Sequence, residues 1–241
     1  MRTTTLFAVL LAAGLAWGQT LGWKQLPGSG VDIGVGADGV AWAVGGNATA
    51  GGFGVWRWTG SAWVQMPGGA VRIDGGPKGT AWAVTDKGVV FRWDGKAWAQ
   101  MPGNASDIGV GADGTVWAVG TQPAAGGYGV WKWNGSAWQQ MPGGAVRIDV
   151  DPKGHAWAVT DKGQVWRWTG TKFEQLPGAA TDIGIGADGS VFAVGPDGKV
   201  WKWTNNAWVQ RDGLAASISV DAQGKPWAVS PDKSVWAASG K

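Results

Sequence analysis

The stretch Trp98-Ala-Gln-Met-Pro-Gly103, followed by Asp107-Ile-Gly-Val-Gly-Ala-Asp-Gly-Thr-Val-Trp-Ala-Val119, decides the organisation of the chain, because variants of it recur along the whole length. Apolar residues alternate on both sides of Gly-Ala-Asp-Gly, which favours a tight turn, so the stretch reads as short strands joined by a hairpin. The opening aromatic stands at Trp23, Trp63, Trp98, Trp138, Phe173 and Trp208, at intervals of 40, 35, 40, 35 and 35 residues. Repeats of this length imply units that cannot bury their apolar surface alone and must pack on their neighbours.

In the second unit, residues 70–74, 80–84, 89–93 and 98–101 read as strands, and 75–79, 85–88 and 94–97 as turns. Pro102-Gly103 is expected to turn the chain into the next unit. Four short antiparallel strands make one propeller blade. The expected fold is therefore all-β: a six-bladed β-propeller of four-stranded antiparallel blades. In five units an opening aromatic follows the third-strand aromatic by seven residues, whereas seven residues beyond Trp236 lies past Lys241. Residues 21–26, around Trp23, are expected to supply that strand, completing the last blade and closing the ring without an exposed edge.

A longer period overlies the first. Residues 23–97 and 98–172 are 75-residue pairs that match at most positions. Odd units begin their first strand with Asp32, Asp107 and Asp182; the second and fourth place Arg72 and Arg147 there, and the sixth has Ser217. The third pair is thus a degraded copy, and its share of any ligand site is expected to be weak or missing.

The chain has 21 tryptophans, no cysteine and a net charge of +3. Each buried Trp removes ~150–250 Å² from water, on the order of 4–6 kcal/mol gross. The equivalent positions Trp42, Trp82, Trp117, Trp157, Phe192 and Trp227 are expected to be core. The outer member of each third-strand pair (Trp58, Trp93, Trp133, Trp168 and Trp203) is a candidate for an exposed aromatic surface. Arg2, the apolar run 6–16 and the small residues Ala16-Trp17-Gly18 read as a secretory signal peptide over 1–18. The expected product is one propeller over 19–241, secreted or periplasmic, with no integral membrane segment after signal removal. Basic residues are scattered and no nucleic-acid motif occurs, so no nucleic-acid partner is expected.

Catalysis finds little material. There is one histidine, His155, and one glutamate, Glu174. No Gly-x-Ser-x-Gly elbow is present, and His/Cys metal ligation lacks the residues. Asp38, Asp113 and Asp188 sit in Ala-Asp-Gly turns, where Asp favours the turn itself. The expectation is a protein that is not an enzyme and carries no cofactor or metal.

The unit Trp-x-Gln-[Leu/Met]-Pro-Gly, Ile-x-Val-Gly-Ala-Asp-Gly-x-Val-Trp-Ala-Val, Gly-x-Val-Trp-[Arg/Lys]-Trp resembles the tectonin repeat of the tectonin, tachylectin-type and fish egg lectins, over residues 21–241. The resemblance implies a six-bladed propeller and a lectin that recognises glycans at microbial surfaces, such as lipopolysaccharide or O-methylated sugars, at several blade-related sites. The last repeat departs from it: Arg211-Asp212-Gly213 replaces Met-Pro-Gly, and Ala238 replaces a Trp. From the residues themselves, the first and third units lengthen the loop between second and third strands to ten residues, 45–54 and 120–129, bearing Phe53 and Tyr128. These loops and the first-strand starts share one end of a blade, which makes Asp32, Phe53, Arg72, Asp107, Tyr128, Arg147 and Asp182 the candidate ligand-binding set. Asp–Arg pairing between adjacent blades accounts for the charged members equally well. A protein-interaction scaffold, with protein partners in an envelope or extracellular complex, is the alternative function.

Overall fold

The computed structural model describes residues 20–239, so the expected signal peptide at 1–18 lies outside the described residues. The described chain is all-β apart from turns and one 3-10 turn at Pro77–Gly79. Four antiparallel sheets have four strands each; Arg72–Gly75, Ala81–Val84, Val89–Trp93 and Trp98–Asn104 form a representative one. A fifth sheet has seven strands, running from Ser217–Val220 through Pro226–Val229 and Ser234–Ala238 to Trp23–Val35, and on to Ala41–Thr49, Gly52–Trp58 and Trp63–Ala70. Trp23–Val35 joins its halves. Its first part pairs with the last strand (Trp23 with Ala238, Leu26 with Val235) and its second part with Ala41–Thr49.

Two expectations about turns are corrected. Trp98–Asn104 continues through Pro102-Gly103 instead of turning there. Gly103 adopts φ 79° and the pairing with Val89–Trp93 slips between Val89 and Phe91, a bulge that lets the strand pass proline. The bulge leaves the proline carbonyl to the next unit: the indole N–H of Trp138 donates to Pro102 O and that of Trp208 to Pro177 O, each at 2.8 Å. A Cβ on Gly178 would stand 2.8 Å from Trp208 Cδ1, so the position tolerates only glycine on steric grounds as well as for its φ of 89°. The two ten-residue loops are likewise hairpin extensions, Ala41–Thr49 with Gly52–Trp58 and Val116–Ala124 with Gly127–Trp133. Their tips lie on the following unit, where Asp86 N donates to Gly51 O and Asp161 N to Gly126 O, both at 3.0 Å.

Aromatic packing joins the units. The second-strand ring of one unit meets the outer third-strand Trp of the next: Trp42 with Trp93 at 6.3 Å, Trp82 with Trp133 at 6.2 Å, Trp117 with Trp168 at 5.9 Å and Trp157 with Trp203 at 6.0 Å between centroids. Trp227 of the sixth unit meets Trp58 of the first at 6.5 Å. Edge-on and tilted pairs of this kind contribute ~0.5–1.5 kcal/mol beyond the area they bury. The outer tryptophans, candidates for an exposed aromatic surface, are instead engaged in inter-unit packing: Trp93 and Trp168 are buried, while Trp58, Trp133 and Trp203 are half-buried and keep part of the ring accessible.

The last repeat's departures are compensated by the N-terminal segment. Phe192 and Ala238 are smaller than the tryptophans in equivalent units, and Leu21 joins them in one core cluster with Trp23 packed alongside. Asp212, in place of proline, still accepts the Trp23 indole through its carbonyl at 3.0 Å, and its carboxylate accepts Leu21 N–H at 2.8 Å. Deleting residues 20–27 removes Leu21, Trp23 and Leu26 from their cores. At ~1.5–3 kcal/mol per large apolar side chain and ~2–4 °C per kcal/mol for a domain of this size, the expected result is a melting midpoint at least 10 °C lower with unfolding still cooperative. Thermal melts followed by far-UV and tryptophan signals check this; an unchanged midpoint would exclude the N-terminal strand as a structural member.

Candidate binding sites at the strand starts and between the units

Antiparallel alternation puts the second-to-third-strand turns and the entries to the first strands at one end of every unit, the upper end, and the remaining turns at the lower end. Asp32, Arg72, Asp107, Arg147 and Asp182 are brought together at the upper end, where the four-residue first strands converge. They are consumed by one another. Arg72 Nη1 lies 3.3 Å from Asp32 Oδ1 and its Nε 3.6 Å from Asp107 Oδ1, while Arg147 Nε lies 3.5 Å from Asp182 Oδ1. The second oxygen of each carboxylate ties the adjacent first strand: Asp32 Oδ2 accepts Ile73 N–H, Asp107 Oδ2 accepts Ile148 N–H and Asp182 Oδ2 accepts Ile218 N–H, each at 2.8 Å. Asp74 and Asp149, two positions further along the even units, accept Val110 N–H at 2.7 Å and Ile185 N–H at 2.6 Å. In the sixth unit Ser219 Oγ does the same for Val35 N–H at 2.9 Å.

The strand start Asp-Ile-Gly is explained by this arrangement. Asp makes the tie, Ile enters the core, and Gly allows the neighbouring strand to approach. A Cβ on Gly34 would stand 2.5 Å from Asp74 Cα, and one on Gly109 2.7 Å from Asp149 Cα. The free volume among these residues is about 30 Å³, room for a water but not a sugar ring. Phe53 and Tyr128 stand apart on the hairpin extensions; Phe53 packs half-buried against a core cluster, and Tyr128 is 38% exposed.

Burial raises the carboxyls. Asp107 is pushed up to about 6 and Asp182 to about 7, in both cases by desolvation and against the pull of Arg147. Asp74 and Asp149 are also driven well above the ordinary carboxylate range, first by burial, with Asp149 acting on Asp74 and Asp182 on Asp149. Burial opposes the charge on Arg72, but Asp32, Asp107 and Asp182 outweigh it and hold the guanidinium above its ordinary value.

Larger spaces lie between units at the upper end. Between the third and fourth, Gly126 and Pro142-Gly143 face Thr160, Trp166 and Phe173 across about 510 Å³. Between the fourth and fifth, Gly178 faces Pro196, Asp197, Trp201 and Trp208 across about 350 Å³. Between the fifth and sixth, Arg211, Asp212 and Leu214 face Ser230, Trp236 and Trp23 across about 620 Å³. The wall is equivalent each time: a Gly bulge, the inner third-strand Trp and the next opening aromatic. Trp166, Trp201 and Trp236 are half-buried. The sequence signalled them only as half of a Trp pair, whose outer member was the candidate for an exposed surface. The largest of these three lies in the third pair, where the strand-start pattern is weakest.

The buried carboxyls fix a sign for pH dependence. Asp107 and Asp182 bind protons in the folded chain at pH values where an unfolded Asp, near 3.8, has released them. Their protonation stabilises the fold at low pH, and that contribution is lost as pH rises from about 4 to about 7. The melting midpoint is therefore expected to be several degrees higher at pH 5 than at pH 8. Ser217→Arg restores the third guanidinium, beside Asp182 and Asp32, and is expected to raise the midpoint at pH 8 and flatten the profile. Melts of both proteins across pH 4–9 check this; a flat wild-type profile would contradict the buried-carboxyl account.

Comparison with known proteins follows the same architecture. No curated protein sequence matches the chain. Solved structures similar in fold include YCF48 bound to D1 peptide (TM-score 0.55, 16% identity, 88% of this chain and 77% of that one). The WD40 β-propeller domain of Doa1 is similar over 93% of this chain and 97% of its own, with TM-score 0.60 and 13% identity. A Bacteroides thetaiotaomicron protein of unknown function matches at TM-score 0.61 and 9% identity, over 92% and 73%. At these identities the likeness is one of fold, and the fold is a β-propeller. The tectonin domain model matches residues 69–169 and 153–241, and with the repeats and sheets described above, the chain belongs to the tectonin family of β-propellers.

Proposed function

We propose that residues 19–241 form a single six-bladed ring, secreted or periplasmic, that binds glycans of microbial surfaces without catalysis. For the ring, the supports are the pairing of Trp23–Val35 with Ser234–Ala238, the Trp227–Trp58 contact and the Ser219–Val35 bond, all of which join the last repeat to the first. The seven-stranded sheet then reads as two blades sharing one long strand. For export, the support is the sequence pattern of residues 1–18.

One observation carries the glycan reading: the same cleft, walled by a half-buried indole and a backbone bulge, recurs between successive units. An indole plane takes the C–H face of a pyranose, while flanking groups such as Thr160, Asp197 and Ser230 meet its hydroxyls. Clefts of about 350–620 Å³ accept one or two sugar residues. Several weak sites on one rigid body raise avidity for a repetitive surface by roughly 10²–10⁴. In this reading Asp32, Arg72, Asp107, Arg147 and Asp182 hold the inner strands together, and Phe53 and Tyr128 stiffen the hairpins whose tips border the clefts. Lipopolysaccharide and O-methylated sugars are the first ligands to test.

A second reading, a peptide-binding scaffold, is favoured by Leu214, 57% exposed at the cleft between the fifth and sixth units, and by the similarity to YCF48 bound to D1 peptide. A glycan array followed by calorimetry separates the two. Trp166→Ala, Trp201→Ala and Trp236→Ala are each expected to remove about one site's worth of binding, and the triple variant to abolish it. Silence across the array, with saturable binding of an envelope-derived peptide, would replace the glycan reading with the scaffold.

A further inference from the structure

At the lower end, each of the first five units stacks a cation on its second-strand aromatic. Arg57 lies 5.8 Å from the Trp42 centroid, Arg92 6.0 Å from Trp82, Lys132 5.5 Å from Trp117, Arg167 5.7 Å from Trp157 and Lys202 5.2 Å from Phe192. Among the described residues none of these five forms an ion pair, nor does Lys78. Three carboxylates at that end, Asp38, Asp94 and Asp113, are engaged within turns instead. Asp38 accepts Val40 N–H and Gly79 N–H, Asp94 accepts Lys96 N–H and Ala97 N–H, and Asp113 accepts the backbone N–H and Oγ1 of Thr115. The cations therefore keep donors free for a ligand, and stacking restricts where those donors point.

One of these cations, Arg92, lines a cavity. Between the second and third units, the turns Pro77–Gly79 and 112–114 enclose about 410 Å³ lined by Lys78, Arg92, Trp82, Trp133 and Asp113. Lys78 sits at the tip of its turn with φ 58° and is exposed. Arg92 is exposed above Trp82, and Trp133 is half-buried beside them.

We propose that this lower-end cavity is a second, independent binding site for an acidic sugar residue within a polysaccharide. Its carboxylate is held between Lys78 and Arg92, and its ring lies along Trp133. Arg92 supplies a planar fork for the carboxylate and Lys78 a point charge. The engaged Asp113 disfavours deeper anion entry, which suits an acid group on a chain crossing the mouth. The proposal does not depend on glycan binding at the upper-end clefts.

The test uses the full chain and polygalacturonate as probe, with dextran as the neutral control, read by calorimetry at low salt. Arg92→Gln and Lys78→Glu are each expected to weaken polygalacturonate binding at least tenfold. Lys162→Glu, the same charge change at the upper end, and Trp166→Ala are expected to leave it within twofold. Among the described residues the Lys78 side chain makes no hydrogen bond or ion pair, so Lys78→Glu reads the site even where Arg92→Gln lowers stability. Equal weakening by Lys162→Glu, or equal affinity for dextran, would overturn the proposal. Duplex DNA bound as tightly and lost on the same substitutions would overturn the sugar assignment in favour of a general polyanion surface.

Discussion

The inner strands are held by carboxylates that reach across to their neighbours' backbone. Asp32, Asp74, Asp107, Asp149 and Asp182 each give an oxygen to an N–H of the adjacent first strand, and Ser219 makes the corresponding bond to Val35. Four-residue first strands have little area to bury, and these bonds satisfy amides that have no ladder partner on that side. The cost is several carboxyls buried close together. Arg72 and Arg147 offset part of it, and the two arginines among five acids leave the remainder to be met by proton uptake. Removing a partner from such a cluster is costlier than never building it, because a buried charge is left exposed to its neighbours.

Tryptophan does at the periphery what aspartate does at the centre. The second-strand and outer third-strand rings interlock between units, while the opening indoles of Trp23, Trp138 and Trp208 reach back to the carbonyl at a Pro-Gly or Asp-Gly bulge. Both layers repeat with the same period, so a loss in one unit must be made good locally. At the last repeat it is: Leu21 fills beside Phe192 and Ala238, and Asp212 substitutes for proline while adding a carboxylate that caps the N-terminal strand. A domain without cysteine can rely on this packing because neighbouring units are held both by the inner-strand bonds and by the outer apolar contacts.

The two ends of the molecule consequently have different chemistry. Upper-end acids and arginines pair with one another around a space of about 30 Å³, whereas indoles border larger spaces. Asp94 and Asp113 at the lower end are spent on turn donors, and among the described residues the stacked cations there form no ion pair. Counting charges along the chain gives only a small positive total, which conceals this separation.

Much of the architecture was legible in the sequence, since a repeated pattern of alternating apolar residues and turn glycines specifies strands and their order by local geometry alone. The core role of Trp42, Trp117 and Phe192 and the pairing of residues near Trp23 with the last strand followed from that period. Three things did not. Pro102-Gly103 reads locally as a turn, but a positive-φ glycine also makes a bulge, and only the partner strand decides between them. Residues 45–54 read as a loop because their glycines hide a hairpin whose register depends on strands 41–44 and 55–58. The candidate Asp and Arg residues do lie together, but their pairing with one another and with neighbouring strands, and which cleft each Trp borders, depend on contacts between units. Periodicity describes one unit repeated; pairing across the gap between units exists only once the chain has folded around itself.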